Sequence, residues 1–303
     1  MSARWGRFGQ AIVMAKPVYL LAGAVLFGLG TAVARYAGVP TDGRLVGLGL
    51  LTVVAGQFSL HFLAAFLAAR VKAASGNDVR SPATLLLNDA TRLPLAAALV
   101  GLVIWGTSLS LAVQQGSFPP LAWVILVLGF AVGLALVLPS LRLATSGYGE
   151  VALSTAVAGL VPAFGFSLQG GSLDPLLLMS VVPLIALHFA MLIVLELPEY
   201  ARDLRLAKGN LLVRLGWAPA MRAHDLAVFF AAGVLVYASF RGLPYRVALG
   251  SLLALPLAVA QIWQMERLRR GFPARWRTIT SVAMGTFGLT LYLELAGYLL
   301  TMA

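Results

Sequence analysis

The chain has 303 residues, of which 60% are hydrophobic and only 11% are charged. Soluble globular proteins carry about 25% charged residues, so this composition excludes a soluble globular domain and indicates a helical membrane protein. The formal net charge of +11 is typical of nucleic-acid-binding proteins, but the charges lie in loops between apolar runs, which excludes that class. The absence of cysteine excludes disulfides and thiolate chemistry.

Nine apolar runs follow one another, each with the roughly 17–25 residues that cross a bilayer core. The predicted spans are 17–37, 45–69, 94–113, 120–139, 149–169, 175–196, 224–240, 246–265 and 278–300. Pro162, Pro183 and Pro256 fall inside runs, and we expect each to kink its helix. The predicted fold class is therefore all-α: a polytopic membrane protein of nine transmembrane helices, with residues 1–303 in a single transmembrane domain.

The basic residues are divided unevenly between the two sides of the predicted bundle. The first run lacks a small-residue cleavage site, so we expect a retained helix and not a cleaved signal peptide. With the N-terminus in the cytoplasm, nearly all of the 22 Lys and Arg residues fall on the cytoplasmic side, as the positive-inside rule requires. The exceptions are Arg35, Arg44, Arg241 and Arg246. We expect an integral multi-pass protein of a bacterial or archaeal plasma membrane, with the C-terminus outside.

The loops are uneven as well. The outer loops are short, whereas two cytoplasmic loops are long: 70–93 after the second span and 197–223 after the sixth. Their separation favours two related four-helix halves plus one extra helix. The two loops are expected to form a polar cap over a mostly apolar cavity.

Few polar side chains lie inside the predicted spans, where they are costly and usually face the bundle interior. Gln57, Ser59 and His61 lie in the second span, and His188 lies in the sixth. Each histidine has two interpretations: a helix–helix hydrogen bond, or a cavity-lining residue that contacts a polar headgroup. Glu294 in the last span is expected to bond to a Tyr, a Thr or a backbone group.

Two further carboxylates, Glu150 and Asp225, stand at the predicted starts of spans five and seven. The helix dipole favours a carboxylate there, so helix capping explains both without a function. The chain contains no HExxH, GxGxxG or P-loop motif, and its three scattered histidines do not predict a transition-metal site.

The segment Leu195–Gly216, LELPEYARDLRLAKGNLLVRLG, is a charged island between two apolar runs. Glu196, Glu199 and Asp203 are three and four residues apart, which places them on one face of a helix. Carboxylates beside a basic cluster can hold a divalent metal against a phosphate, because oxygens ligate the metal and Lys or Arg neutralises the anion. A solvated loop with routine salt bridges is the alternative. The basic cluster is Arg202, Arg205, Lys208 and Arg214.

Nine spans with long cytoplasmic loops after spans two and six resemble the UbiA superfamily of intramembrane prenyltransferases. The branch that prenylates dihydroxynaphthoate in menaquinone synthesis is the most similar. Members carry an Asp-x-x-x-Asp motif at the end of span six, then a Lys and a Val-Arg-Leu-Gly ending. Here the segment reads Glu199-Tyr-Ala-Arg-Asp203, then Lys208, then Val213-Arg214-Leu215-Gly216. Residues 148–173, YGEVALSTAVAGLVPAFGFSLQGGSL, also resemble the family's fifth span and loop.

The family's first motif, Asn-x-x-x-Asp-x-x-x-Asp, is missing at the end of span two. Aligned through His61, its positions fall on Ala64, Ala68 and Lys72, and none of these ligates a metal. In the family, both motifs hold Mg²⁺ ions that bridge the isoprenyl diphosphate and help it leave, because the negative charge of the leaving group must be neutralised.

Three accounts of the missing motif remain open. Oxygen ligands can come from elsewhere in the same loop. Alternatively, fixed positive charge replaces one metal and leaves a single metal at Glu199 and Asp203. In the third account the cavity has lost prenyl transfer and only binds its ligand. The loop ligands would be Asn77 and Asp78 or Asn88 and Asp89, and the fixed charges would be Lys72, Arg70 and Arg80.

The resemblance implies transfer of a prenyl group from an isoprenyl diphosphate to an aromatic or quinone-type acceptor, with Mg²⁺ as cofactor. Glu199 and Asp203 would bind the metal as catalytic residues, and His61 and His188 would line the acceptor pocket. The diphosphate-binding residues would be Lys72, Arg202, Lys208 and Arg214. The alternative is a catalytically degenerate homologue that binds an isoprenoid, quinone or pigment as a structural or assembly protein beside a protein partner. A transporter of unrelated class is a third interpretation.

Overall fold

The structure, a computed structural model, describes residues 14–74, 89–170 and 172–302, with the backbone alone for 72–74 and 89–90. Within these ranges every regular element is helical. The helices are α1 Pro17–Tyr36, α2 Gly43–Ala74, α3 Asp89–Gln114, α4 Pro120–Val137, α5 Gly149–Ser167, α6 Pro175–Glu196, α7 Tyr200–Arg205, α8 Leu211–Leu215, α9 Trp217–Phe240, α10 Tyr245–Leu252, α11 Leu255–Arg269 and α12 Trp276–Met302.

Nine segments of the described chain are long and apolar enough to cross a membrane, which confirms the predicted all-α polytopic fold. Helices α10 and α11 together form one of these segments, and α6 with α7 forms another. Large apolar side chains such as Phe240 and Leu226 are exposed on the outer faces, where lipid would cover them. The protein is therefore an integral multi-pass membrane protein.

Proline sets several of the helix boundaries. Pro17, Pro120 and Pro175 occupy the first turns of α1, α4 and α6, where a missing N–H costs little. The kink predicted at Pro256 is a break, since α10 ends at Leu252 and α11 begins at Leu255. Pro183 is instead accommodated within an uninterrupted α6.

The seventh span begins at Trp217, seven residues before its predicted start at 224. The two polar residues at the predicted start of this span, His224 and Asp225, are paired inside the bundle. His224 Nδ1 donates to Asp225 Oδ1 (2.9 Å), and Arg269 Nη1 of α11 donates to Asp225 Oδ2 (2.7 Å). The capping role predicted for Asp225 is therefore wrong: this carboxylate ties α9 to α11 from within α9.

The bundle has two apolar cores. The larger one joins α1, α5, α6 and α9–α12, and the smaller one joins α1–α5 around Phe27, Phe118 and Phe164. Helices α1 and α5 approach closely at Gly30, where an added Cβ would lie 1.8 Å from the carbonyl oxygen of Pro162. α5 contains a π-helical segment, Thr155–Leu160, immediately before this contact.

At one end of the bundle, α6 and α11 finish and α5, α9 and α12 begin; we call it the polar end. Rings from three helices meet there, with Trp217 of α9 against Tyr200 of α7 (5.4 Å) and Trp276 of α12 (6.2 Å). The predicted cap loop 197–223 lies at this end. It folds into a short 3-10 turn (Leu197–Glu199), α7, α8 and the first turns of α9. Most of the other predicted cap loop, 70–93, lies outside the described residues.

Candidate functional site

Two connections meet at the polar end: residues 138–148, between α4 and α5, and residues 206–210, between α7 and α8. They touch at Gly209, where an added Cβ would lie 2.2 Å from the carbonyl oxygen of Thr145. Arg142 and Ala207 on these connections have the left-handed φ angles of 51° and 49°, which non-glycine residues rarely adopt. Such strained residues gather at functional sites, where the surrounding structure holds them in place.

A cleft of about 770 Å³ opens between the two connections, and the charged side chains that line it are basic. Its volume lies in the ~300–1,000 Å³ range of small-molecule sites. Three cations with no carboxylate among the lining residues favour a multiply charged anion such as a diphosphate. The lining residues are Arg142, Thr145, Ser146, Leu206, Ala207, Lys208, Gly209 and Arg214.

Asp203 lies behind the cleft and holds one of its lining residues, Lys208. It is buried (6% exposed), and its Oδ2 accepts from Lys208 Nζ (2.9 Å) and Asn210 Nδ2 (2.9 Å). Asn210 in turn caps α8, because its Oδ1 accepts from the Val213 N–H (3.0 Å). The predicted residues Asp203 and Lys208 are therefore in direct contact, and Lys208 is shared between the carboxylate and the cleft.

Glu199 and Arg202 lie elsewhere. They form an ion pair with each other (3.1 Å) on the outer surface, where their side chains are 55% and 68% exposed. The predicted shared face of Glu199 and Asp203 is not formed, since one carboxylate is exposed and the other is buried. Glu199 is the last residue of the 3-10 turn Leu197–Glu199 and lies outside α7, whereas Asp203 lies within α7. Among the described residues, no three His, Asp or Glu side chains converge as a metal site.

A second pair of carboxylates lies close to Asp203. Glu150, on the first turn of α5, is 4% exposed, and the Glu196 carboxyl at the end of α6 contacts the Glu150 carboxyl. Glu150 Oε1 accepts from the Leu211 N–H on the first turn of α8 (3.0 Å). Glu150 therefore caps α8 across the site. It also lies on the first turn of its own helix, where the helix dipole favours a carboxylate as predicted.

Both predicted pocket histidines make hydrogen bonds between chain segments, which confirms that interpretation of them. Ser154 Oγ donates to the Glu150 carbonyl (2.8 Å) and accepts from His188 Nδ1 (3.0 Å), while Phe287 of α12 packs edge-on against the His188 ring. His61 Nδ1 is paired with the Ala15 carbonyl (3.1 Å) just before α1. Their role in an acceptor pocket stays a prediction.

Of the remaining predicted residues, Arg214 lines the cleft and donates through Nε to the Gly209 carbonyl (3.1 Å). Lys72 lies on the last turn of α2, but its side chain is outside the described part of the chain. The proposed loop ligands 77, 78 and 88 also lie outside it, as do Arg80 and the side chain of residue 89.

Sequence reasoning missed Arg142, Thr145 and Ser146 as site residues. They reach the site because the 138–148 connection folds against a segment more than 60 residues further along the chain. The sequence does mark this connection by the polar stretch LRLATSGYGE between two apolar runs. Local spacing alone, however, does not show that this stretch lies near Asp203.

No family model matches the chain, and no curated protein does so either. Several solved structures are similar in fold, among them the following three. The first is from work on digeranylgeranylglyceryl phosphate synthase in membranes (TM-score 0.63, 12% identity, 95% of this chain and 96% of that chain). The second is a UbiA homologue from Aeropyrum pernix K1 (0.61, 16%, 92% and 98%). The third is a UbiA homologue from Archaeoglobus fulgidus bound to GPP and Mg²⁺ (0.58, 12%, 94% and 99%). The chain therefore has the fold of these polytopic UbiA homologues.

Proposed function

We propose that the chain is a UbiA-like membrane prenyltransferase, which moves an isoprenyl group from a diphosphate donor to an aromatic or quinone-type acceptor. The observation that carries the proposal is the basic cleft between the 138–148 and 206–210 connections, with Asp203 buried behind it. The similarity in fold to a homologue bound to GPP and Mg²⁺ supports this class of donor. We place the site at the cytoplasmic face of a bacterial or archaeal plasma membrane.

The chain's own residues hold the donor and favour departure of its diphosphate. Arg142, Lys208 and Arg214 neutralise the diphosphate oxygens, and fixed cations stabilise the charge that develops when the bond to the allylic carbon breaks. Asp203 holds the Lys208 ammonium in position through the 2.9 Å contact. Lys72 and Arg202 stay predicted contacts, and Arg202 would first have to leave Glu199.

Mg²⁺, when bound, supplies further positive charge to the diphosphate. Of its predicted ligands, Asp203 lies beside the cleft, whereas Glu199 is engaged by Arg202 at the surface. We therefore propose Asp203 as a ligand in the arrangement that the structure describes. Glu199 joins it only when the ion pair with Arg202 opens.

For the acceptor we propose a pocket in the bundle interior between the cleft and His188. The position of His188 supports this, because its ring is buried at the junction of α5, α6 and α12. His61, beside the start of α1, is the second predicted lining residue.

A second candidate function is a degenerate homologue that binds an isoprenoid, quinone or pigment without turning it over, alone or beside a protein partner. The observation that favours it is the occurrence of Ala64 and Ala68 at two positions of the family's first motif. Alanine has no oxygen with which to ligate a metal.

The experiment is a binding and transfer assay on the purified chain with labelled geranylgeranyl diphosphate, a panel of acceptors, and either Mg²⁺ or EDTA. We expect Mg²⁺-dependent product. Arg142→Gln should weaken donor binding by about tenfold or more, because a charge-assisted hydrogen bond is worth about 1.5–3 kcal/mol. Arg222→Gln, at an exposed arginine of the polar end that does not line the cleft, should bind the donor normally.

Equal donor affinity in wild type and Arg142→Gln would show that the cleft is not the donor site. Tight donor binding without product for any acceptor would favour the second candidate function.

A further inference from the structure

The pair of carboxylates Glu150 and Glu196 has no role in the function proposed above. Both residues come from helix ends: Glu150 lies on the first turn of α5 and Glu196 is the last residue of α6. The two carboxyl groups contact each other, and Glu150 is almost fully buried. Two carboxylates this close repel each other unless a proton or a cation lies between them.

The protein groups around the pair do not complete it. Glu150 Oε1 accepts from Leu211, but within the described chain no N–H or hydroxyl donor reaches Glu150 Oε2 or Glu196 Oε2. Lys208 is near enough to act electrostatically on Glu196, yet its ammonium is bonded to Asp203. One oxygen of each carboxyl group therefore lacks a protein donor and can take a cation, or a proton that the two groups share.

Oxygen pairs of this kind suit a hard divalent cation. Mg²⁺ usually takes one or two protein carboxylates and completes its shell with water and substrate phosphate, and not with a cage of protein ligands. The surroundings match this pattern, because the pair lies next to Asp203 and Lys208, and Lys208 lines the basic cleft. A cation at this position would lie close to Lys208, which itself lines the cleft.

We infer that Glu150 and Glu196 together bind one divalent cation of the Mg²⁺ class through their unpartnered Oε2 atoms, at the rear of the basic cleft. Contact between this cation and a diphosphate rests on the proposed function. Binding of the cation by the two carboxylates does not depend on that function. The site is separate from Glu199, whose carboxylate lies at the surface with Arg202.

The test is a Mn²⁺ titration of the full chain in detergent, without any donor, with free Mn²⁺ followed by its electron paramagnetic resonance signal. We expect wild type to bind one ion. Glu196→Gln and Glu150→Gln should each weaken Mn²⁺ binding by about tenfold or more. Losses of about this size follow when a metal site loses a ligand or a group that positions a ligand. Glu266→Gln is the control: it removes a carboxylate at the same end of the bundle that pairs with Arg269 and Arg270, and it should bind Mn²⁺ like wild type.

Thermal unfolding provides a second readout that does not depend on activity. Without metal, Glu196→Gln should be at least as stable as wild type, because the substitution removes the repulsion between the two carboxylates. Added Mg²⁺ should raise the midpoint of wild type and of Glu266→Gln, but not that of Glu196→Gln.

Wild-type Mn²⁺ affinity in Glu196→Gln, or no Mn²⁺ binding by wild type, would overturn the inference and would indicate that the pair shares a proton. Donor binding in EDTA, compared between wild type and Arg142→Gln, tests the proposed function separately. The two ideas can therefore fail independently.

Discussion

Glu294 lies on α12 with its side chain fully buried in the bundle. Within the described chain neither of its carboxyl oxygens has a hydrogen-bond partner, so the Tyr, Thr or backbone partner expected from the sequence is wrong. The two candidates on the same helix face, four residues away on either side, are engaged elsewhere: Tyr298 pairs with Ser180 (2.9 Å), and Thr290 donates to the Thr286 carbonyl (2.8 Å). A buried carboxyl group without a partner lowers the stability of the fold.

We therefore expect Glu294→Met to raise the free energy of unfolding by about 1–3 kcal/mol, which is the usual penalty of a buried unsatisfied polar group. Denaturant unfolding in detergent measures it. Glu199→Met, at an exposed position, should change stability by no more than about 0.5 kcal/mol. A less stable Glu294→Met variant would show that the carboxyl group has a favourable interaction in the folded state.

Among the structural elements, the two connections that form the cleft depend on each other. Gly209 leaves room for the Thr145 carbonyl, and the neighbouring Lys208 and Arg214 carry charge into the cleft. α8 is anchored twice at its first turn, by Asn210 and by Glu150 from α5. The cleft is thus built from contacts between elements, and separating the elements should destroy it without breaking any helix.

Gly209→Ala tests this directly. Its Cβ would lie 2.2 Å from the Thr145 carbonyl oxygen, so the backbone of one connection has to move. We expect a loss of about 1–3 kcal/mol in stability, typical of overpacking, and about tenfold or weaker diphosphate binding in the donor assay. The control is Gly233→Ala on α9, where no atom lies within 4 Å of the added Cβ. This control should bind the donor normally, and its stability should be unchanged or higher by up to ~1 kcal/mol. Normal donor binding by Gly209→Ala would contradict the coupling of the two connections.

The same elements show what the sequence could predict. Periodicity and local spacing placed Asp203, Lys208 and Arg214 together in one segment, and the structure brings all three to the cleft or its rear. Spacing failed for Glu199, because this residue belongs to the 3-10 turn Leu197–Glu199 and not to α7, which carries Asp203. It could not find Arg142, because that contact joins distant parts of the chain through tertiary packing.

At the scale of the whole molecule, hydropathy predicted all nine spans, since an apolar run long enough to cross a bilayer has few alternatives to a transmembrane helix. It misjudged the start of the seventh span, because residues 217–223, which it assigned to the preceding loop, already form the first turns of α9. The two related halves and the single domain stay predictions.

The predicted orientation of the molecule rests on the uneven distribution of its basic residues, and it can be measured directly. The chain lacks cysteine, so one introduced thiol reports one location. We expect a membrane-impermeant maleimide to label Thr41→Cys in intact cells, because the connection between α1 and α2 is predicted to lie outside. Arg222→Cys, at the polar end, should be labelled only after permeabilisation. Both positions are exposed. The reverse pattern would place the cleft on the outer side of the membrane.

The π-helical segment Thr155–Leu160 has a consequence for how this chain is compared with others. A π segment accommodates an extra residue, so the parts of α5 on either side of it are offset by about one residue, which is ~100° of rotation about the helix axis. Glu150 and Ser154 precede the offset, and Pro162 follows it. Consider an alignment of α5, without a gap, with a relative in which this helix is regular. Such an alignment would match the part of α5 on one side of the π segment to the wrong positions. The parts of α5 before and after the π segment should be aligned separately, with the gap placed between residues 155 and 160.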